Sequence, residues 1–245
     1  MRWYKADLHV HSVLSPCGSL EMSPREVMRT ASERGLEIIA MTDHNSSANS
    51  LAYAKAAQEF DLAYIYGIEV QTAEEIHIIA LFDNYEQVTG FGNELYDSLL
   101  PIDNDPDFFG DQVVIDENDN ILRFEKKALI NSSVWTLETA FQKISHYGGF
   151  YFPAHVDVIS YSLLGQLGFI PTDIQIEALG ITAKCDTDKL LKQYPQLQEY
   201  ALIRNSDAHY LKDIASGFTQ FYLHEPTLDE IRLACRNLDG RKIKI

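Results

Sequence analysis

Short apolar runs alternate with amphipathic stretches of helical length over most of this 245-residue chain, and that alternation limits it to a few architectures. Residues 3–10 read as a strand. Ser23-Pro24 then opens a helix through Arg34, with Ser at the cap, Pro at the first helical position and Glu26 in the first turn. Gly35 ends it, and the predominantly apolar run 36–41 has the composition of a strand buried on both faces. A helix over 51–60 and strands over 63–70 and 76–82 follow. Later come a helix over 136–147, strands over 149–154, 174–179, 200–205 and 218–223, and a closing helix over 227–237. Such alternation predicts an α/β fold with a parallel sheet, either open or closed into a barrel. The length suits one domain with a sizeable core.

The stretch 84–133 breaks the pattern. It is acidic and turn-rich, with Asp103-Asn104-Asp105-Pro106-Asp107 and Asp116-Glu117-Asn118-Asp119-Asn120. The second cluster separates the apolar runs 112–115 and 121–124, which predicts a β-hairpin. The expectation is a single domain over 1–245 that carries this stretch as an insertion.

Thirty-six acidic and twenty basic side chains leave a net charge of −16. That average field predicts no binding of duplex nucleic acid, since no Lys/Arg-rich stretch offsets it. A small anionic substrate stays compatible if the site itself holds cations. Cys17, Cys185 and Cys235 are odd in number and widely spaced, which does not suit a disulfide framework. No apolar run approaches the ~20 residues of a membrane helix, and the first residues lack the apolar core of a signal peptide, so the expectation is a cytoplasmic protein without a membrane partner. Oligomeric state is not legible.

Six of the eight histidines lie at or near predicted strand ends. His9 and His11 close the first strand in Asp-Leu-His-Val-His, where i, i+2 spacing points both imidazoles to one side of an extended chain. His44 ends the second strand in Met-Thr-Asp-His-Asn, Glu69 the third in Gly-Ile-Glu-Val, and His155 a later one in Phe-Pro-Ala-His-Val-Asp. His77 lies within the fourth strand, and Asp207 and His209 stand in Asn-Ser-Asp-Ala-His. Ligands of parallel α/β structures bind at the carboxyl ends of the strands. One strand-end histidine is usually a packing residue. Six, joined by two carboxylates, would each cost free energy on burial unless they shared a partner, and imidazole and carboxylate are usual ligands of zinc, manganese and iron. His146 and His224 have no motif around them and read as structural.

Taken in order from Asp7 to His209, these motifs resemble the polymerase and histidinol phosphatase (PHP) domain family. The resemblance implies a distorted (β/α)7 barrel, a trinuclear centre of two to three divalent metal ions, and phosphoester hydrolysis. It implies one metal on His9, His11, Glu69 and Asp207, a second on Glu69, His77 and His155, and a third on His44 and His209. Family members usually add an Asp or His from the loop after His11, whereas this loop reads Ser15-Pro16-Cys17-Gly18. Cys17, six residues after His11, can take that place as a thiolate, or it is a small buried residue beside a weak or empty third site.

The mechanism so implied is in-line attack on phosphorus by a metal-bridging hydroxide, with Glu69 and Asp207 shaping the nucleophile's site and His209 or its metal assisting the leaving group. Arg204, Lys212 and Asp157 are candidates for holding the substrate. Asp7 and Asp43 can orient imidazoles or serve as turn carboxylates. Tyr161 and Tyr210 can stack on a base or sugar or simply pack. The leading expectation is a phosphatase of a small phosphoester such as a nucleotide, sugar phosphate or amino-alcohol phosphate. The alternatives are a 3'-5' exonuclease on short oligonucleotides, C–N or C–O hydrolysis in a related amidohydrolase barrel, and a non-catalytic regulatory protein that holds metal.

Overall fold

The computed structural model describes residues 1–172 and 174–245. In chain order the elements are β1 (Arg2–Val10), α1 (Pro24–Glu33), β2 (Ile38–Met41), α2 (Ser50–Glu59), β3 (Ala63–Gln71), β4 (His77–Phe82), α3 (Tyr85–Ser98), α4 (Pro106–Phe109), β5 (Val113–Ile115), β6 (Ile121–Phe124), α5 (Leu137–His146), β7 (Phe150–Pro153), α6 (Leu163–Leu167), β8 (Ala178–Ile181), α7 (Thr187–Gln193), β9 (Ala201–Arg204), β10 (Thr219–Leu223), α8 (Leu228–Cys235) and β11 (Lys242–Lys244). The main sheet runs β11-β10-β1-β2-β3-β4-β7, and β8 pairs with β9 in parallel.

Backbone bonds continue the curl past β7. Val156 N donates to Gly180 O at 2.8 Å, joining the end of β7 to β8. Beyond β9, Asp207 N donates to His9 O at 3.0 Å and His11 N to Ala208 O at 2.9 Å. The staves β1-β2-β3-β4-β7-β8-β9 thus come round to their start, and the scarcity of bonds flanking β8 and β9 is the distortion. Together with its covering helices this is the distorted α/β barrel that the motifs implied.

The purely parallel sheet is corrected to a mixed one. β4 runs antiparallel to both β3 and β7, and β10 antiparallel to β1 and β11. The reason is local, because five residues separate Gln71 from His77, too few for a parallel crossover. Two other expectations shift. The strand expected at 174–179 forms later, at Ala178–Ile181. The first part of the acidic stretch is not turn-rich but the helix α3, whose N-cap Asn84 accepts a bond from Gln87 N. α3 packs Val88, Phe91 and Leu95 against the outer face of β3 and β4. The expected hairpin is there as β5–β6.

The core lies in layers. Ala6, Leu8, Ala40, Ile65, Leu81 and Phe152 fill the barrel interior. Outside it, α1 and α2 cover Ile39 and Met41 with Val27, Met28 and Tyr53. α1 presents Val27, Met28 and Ala31 inward and Glu26, Arg29 and Glu33 outward, one apolar stripe at helical spacing. Pro24 starts it, although the Ser23 hydroxyl makes no capping bond. Among the described residues no helix is long and apolar enough to cross a membrane.

Candidate metal centre

Three local devices aim the polar groups into one end of the barrel. In β1, Tyr4, Ala6 and Leu8 face the interior, and plain alternation would send Val10 there next. A bulge intervenes: Asp7 pairs with Ile39 and Val10 with Met41, so three steps on β1 match two on β2. Val10 joins the outer layer instead, and His9 and His11 turn inward above Leu8. In β3 the parity is regular: Ile65 is interior, Ile68 and Val70 are exterior, and Glu69 is interior. The reversed direction of β4 is the third device, since it brings the first residue of that strand, His77, to the end where the parallel strands finish. His155 and Asp207 follow β7 and β9 with backbones in the left-handed region, φ 33° and 53°, as does Asn45 after His44 at 49°. Such conformations in non-glycine residues cost of order 1 kcal/mol each and gather at functional sites.

Glu69 is the hub, and it is 1% exposed. Its Oε1 lies 3.0 Å from His77 Nδ1, 3.2 Å from His9 Nε2 and 3.5 Å from His155 Nε2. Its Oε2 lies 3.1 Å from His44 Nδ1 and 3.3 Å from His11 Nε2. Asp207 Oδ1 stands 3.2 Å from both His9 Nε2 and His11 Nε2. The His209 ring stacks on His11 at 4.0 Å, and Cys17 Sγ is 3.7 Å from His44 Nε2. Cys17 is exposed, so its reading as a buried packing residue is corrected. All nine residues expected to hold metal converge on this end of the barrel.

The far nitrogens show which way the lone pairs point. His11 Nδ1 is 2.9 Å from Ser15 Oγ, whose hydroxyl donates to Asp43 at 2.8 Å. His77 Nε2 faces Gln71 Oε1 at 3.2 Å, and His209 Nδ1 faces the Asp207 carbonyl at 2.9 Å. In each neutral ring the far N–H is thereby donated to an oxygen, leaving the near nitrogen a bare acceptor aimed at the centre. His9 Nε2 and His11 Nε2 then face each other at 3.0 Å, and neither oxygen of Glu69 has a hydrogen-bond partner among the described residues. Buried acceptors converging without donors fit cations, and nitrogen with carboxylate oxygen suits zinc, manganese or iron. Three sets of ligand atoms lie within 4.8 Å of one another: His9-His11-Glu69, His44-Glu69-His77 and His11-His44-His209. The second joins His44 to Glu69 and His77, where the resemblance grouped His77 with His155.

Electrostatics divide the rings: burial lowers the His11 pKa, but Asp207 and Glu69 outweigh it and hold it well above the ordinary imidazole value, a proton that a bound cation would have to displace. Burial presses the Glu69 pKa upward, but His77, His9 and His44 outweigh it and hold the carboxyl well below its usual range. Burial lowers His44 well below the ordinary imidazole value and brings His209 down to about 4, so both rings are neutral at physiological pH.

Around these groups, Asp43 accepts from Ser12 N, Ser12 Oγ and Ser15 Oγ, so it orients His11 through Ser15. Among the described residues Asp7 makes no hydrogen bond to an imidazole; it accepts from Ser206 N and Ala215 N and binds the loop after β9 to β1. None of the three expected substrate residues is in the wall of the cavity over the centre. Arg204 donates to the carbonyls of Thr182, Ala183 and Cys185 and to Thr187 Oγ1, which pins the loop after β8. Asp157 accepts from Thr182 N and Oγ1, and Lys212 stacks over Tyr210 at 5.3 Å. The open cavity over the centre has a volume of about 300 Å³, and its walls include Gln71, Ile130, Val158, Tyr161 and Thr182. Tyr161 lies flat on His77, with ring centroids 4.8 Å apart. Gln71 was not singled out in the sequence, though its place two residues beyond Glu69 on the same strand face was a usable signal.

The PHP domain family model matches residues 7–156, and the chain belongs to that family of metal-dependent hydrolases, which includes phosphoesterases and nucleases. An uncharacterised protein of Methanocaldococcus jannaschii is 34% identical over 99 residues, which cover 37% of this chain and 57% of that protein. The lesion-specific endonuclease PfuEndoQ from Pyrococcus furiosus shares the fold at TM-score 0.76 and 19% identity, over 98% of this chain and 57% of its own. An Endonuclease Q complex with a 27-mer duplex bearing an abasic lesion at the active site matches at TM-score 0.73 and 18% identity, over 98% of this chain and 58% of that one. The chain therefore spans little more than half the length of these relatives. The last likeness overturns the exclusion of duplex nucleic acid that was drawn from net charge. A charge averaged over the surface does not set the potential at one site, least of all where cations bind.

Proposed function

We propose that this chain is a phosphoester hydrolase that works with two or three divalent cations held by His9, His11, His44, Glu69, His77, His155, Asp207 and His209, with Cys17 completing the group around His44. The observation that carries this reading is the unpartnered Glu69 carboxylate, faced by five imidazoles at the floor of an open cavity. Cations bound there would make hydroxide available near neutral pH and offset the charge of the phosphate. The chain's own residues do the rest. Glu69 and Asp207 each stand 3.2–3.3 Å from His9 Nε2 and His11 Nε2 and fix the geometry of that pair. His209, with Nδ1 committed to the Asp207 carbonyl, presents Nε2 at the rim. Tyr161, Val158 and Ile130 form a wall for the organic part of the ester.

A cavity of about 300 Å³ is at the small end of ligand sites and suits one phosphoester unit at a time. A free small phosphoester is the first reading. The second is the end or an exposed unit of a nucleic-acid strand, favoured by the likeness over 98% of the chain to an endonuclease. The free cysteines support a reducing, cytoplasmic setting.

The test is metal content per chain, followed by phosphate release from a panel of small phosphoesters, for the protein and its Glu69→Gln variant. Two to three metals with turnover, and loss of both in the variant, is the expected result. Wild-type levels of both in the variant sink the proposal. Bound metal with no turnover on any ester would favour the regulatory reading instead.

A further inference from the structure

A second depression, of about 630 Å³, lies between α3 and the β5–β6 hairpin, and its walls include Ser46, Ser47, Tyr85, Arg123, Phe124 and Lys126. In a chain of net charge −16 it is lined by two exposed cations, Arg123 and Lys126, with the exposed rings of Tyr85 and Phe124 among them. The one carboxylate in the wall, Glu125, is 9% exposed and largely satisfied internally: it accepts from the Tyr96 hydroxyl at 2.6 Å and from the backbone N–H groups of Lys126 and Lys127. Arg123 reaches it at 3.5 Å. Lys126 has no ion-pair partner among the described residues. All four residues of β6 are exposed, including Ile121, Leu122 and Phe124, and both Arg123 and Phe124 line the depression.

The groove is joined to the metal centre through two short segments. Ser46 is two residues beyond His44, and Ile130, in the wall of the site cavity, is four residues beyond Lys126. Four residues span at most ~14 Å, so the groove's cations lie close to the cavity. Asn45 clamps the two segments together, its Nδ2 donating to Leu129 O and Asn131 O at 2.9 Å.

We infer that this groove binds a single nucleic-acid strand: Arg123 and Lys126 meet successive phosphates, Phe124 and Tyr85 offer faces to the bases, and the strand leads toward the metal-centre cavity. Cations interleaved with aromatic rings are the chemistry that holds single strands without reading their sequence, because every base has a face and every unit a phosphate. The inference deepens the proposed hydrolase by naming its substrate class. It makes the hairpin the part of the chain that separates polymer from free phosphoester.

The test measures binding of a fluorescein-labelled dT12 by anisotropy across a salt series, beside hydrolysis of para-nitrophenyl phosphate. The variants are Arg123→Glu/Lys126→Glu and, separately, Phe124→Ala. Expected are at least tenfold weaker binding in the charge-reversed variant, a log–log salt slope smaller by about 1.4 for two lost phosphate contacts, and about fivefold weaker binding for Phe124→Ala, with para-nitrophenyl phosphate hydrolysis unchanged. Unchanged dT12 affinity and salt slope in the charge-reversed variant overturn the inference, as does an unmodified chain that does not bind dT12 at low salt. Failure of the hydrolase reading would look different, because para-nitrophenyl phosphate would then go uncleaved whether or not dT12 binds.

Discussion

At the scale of single residues, the candidate centre is defined less by the imidazoles that converge on it than by what holds their far nitrogens. Asp43 acts on His11 only through the Ser15 hydroxyl, so Ser15→Ala leaves the His11 Nδ1–H without its acceptor and the ring free to turn. Loss of such a supporting group typically costs 10–100-fold in metal affinity. Ser15→Ala is expected to lower affinity about tenfold or more while the fold persists, measured by competition with a chromogenic chelator. Gln71→Leu is expected to do the same at His77, whose tautomer Gln71 sets. Wild-type affinity in both variants would remove these two groups from the centre. The residues proposed to hold metal were legible because they stand in short polar signatures at the ends of apolar runs. Ser15 and Gln71 were not, since a serine in a loop and a glutamine at the end of a strand carry no signature until the partner is in place.

At the scale of elements, β9 and the loop after β8 carry the clearest prediction. Arg204 was expected to grip phosphate, yet its guanidinium spans three carbonyls and a hydroxyl of residues 182–187. Arg204→Ala should therefore lower stability by about 2 kcal/mol, within the range for a lost hydrogen-bond network, with KM for a small phosphoester little changed in the folded fraction. A raised KM with unchanged stability would restore the phosphate-gripping role. Asn205 closes the barrel in a similar way, its Oδ1 accepting Leu8 N at 3.0 Å inside the core. Asn205→Ala leaves that buried N–H unpaired and is expected to cost about 1–3 kcal/mol by denaturant titration. Helix α3 went unread because Gly90 and Gly92 and its flanking acids look like turn residues, and glycine within a helix costs ~1 kcal/mol. Packing reverses that judgement at Gly92. A Cβ there would stand 2.4 Å from Ser47 Oγ, so only glycine lets α3 approach the loop that carries His44 into the site.

At the scale of the whole molecule, one group of side chains serves both folding and chemistry. The carboxylates and imidazoles at the barrel mouth are buried together, and a cation bound only by the folded chain stabilises it by mass action. At a free concentration of ~100 times the dissociation constant that amounts to about 2.7 kcal/mol, or roughly 5–10 °C in a chain of this size. Stripping the metal with a chelator should lower the melting temperature by about that much, and adding back the native divalent ion should restore it. A melting temperature indifferent to both would mean that the folded chain holds no such ion. The sequence by itself determined the α/β class, most of the strand ends and which residue types gather there, because hydrophobic period and strand-end polarity are local properties written residue by residue. Tertiary structure alone decided the rest. The bulge in β1 turned His9 and His11 inward, the reversal of β4 brought His77 to the mouth, and Arg204 and Asp157 were drawn into the loop after β8. Each of these depends on which strand lies beside which, and that is settled only when the sheet curls and long-range backbone bonds form.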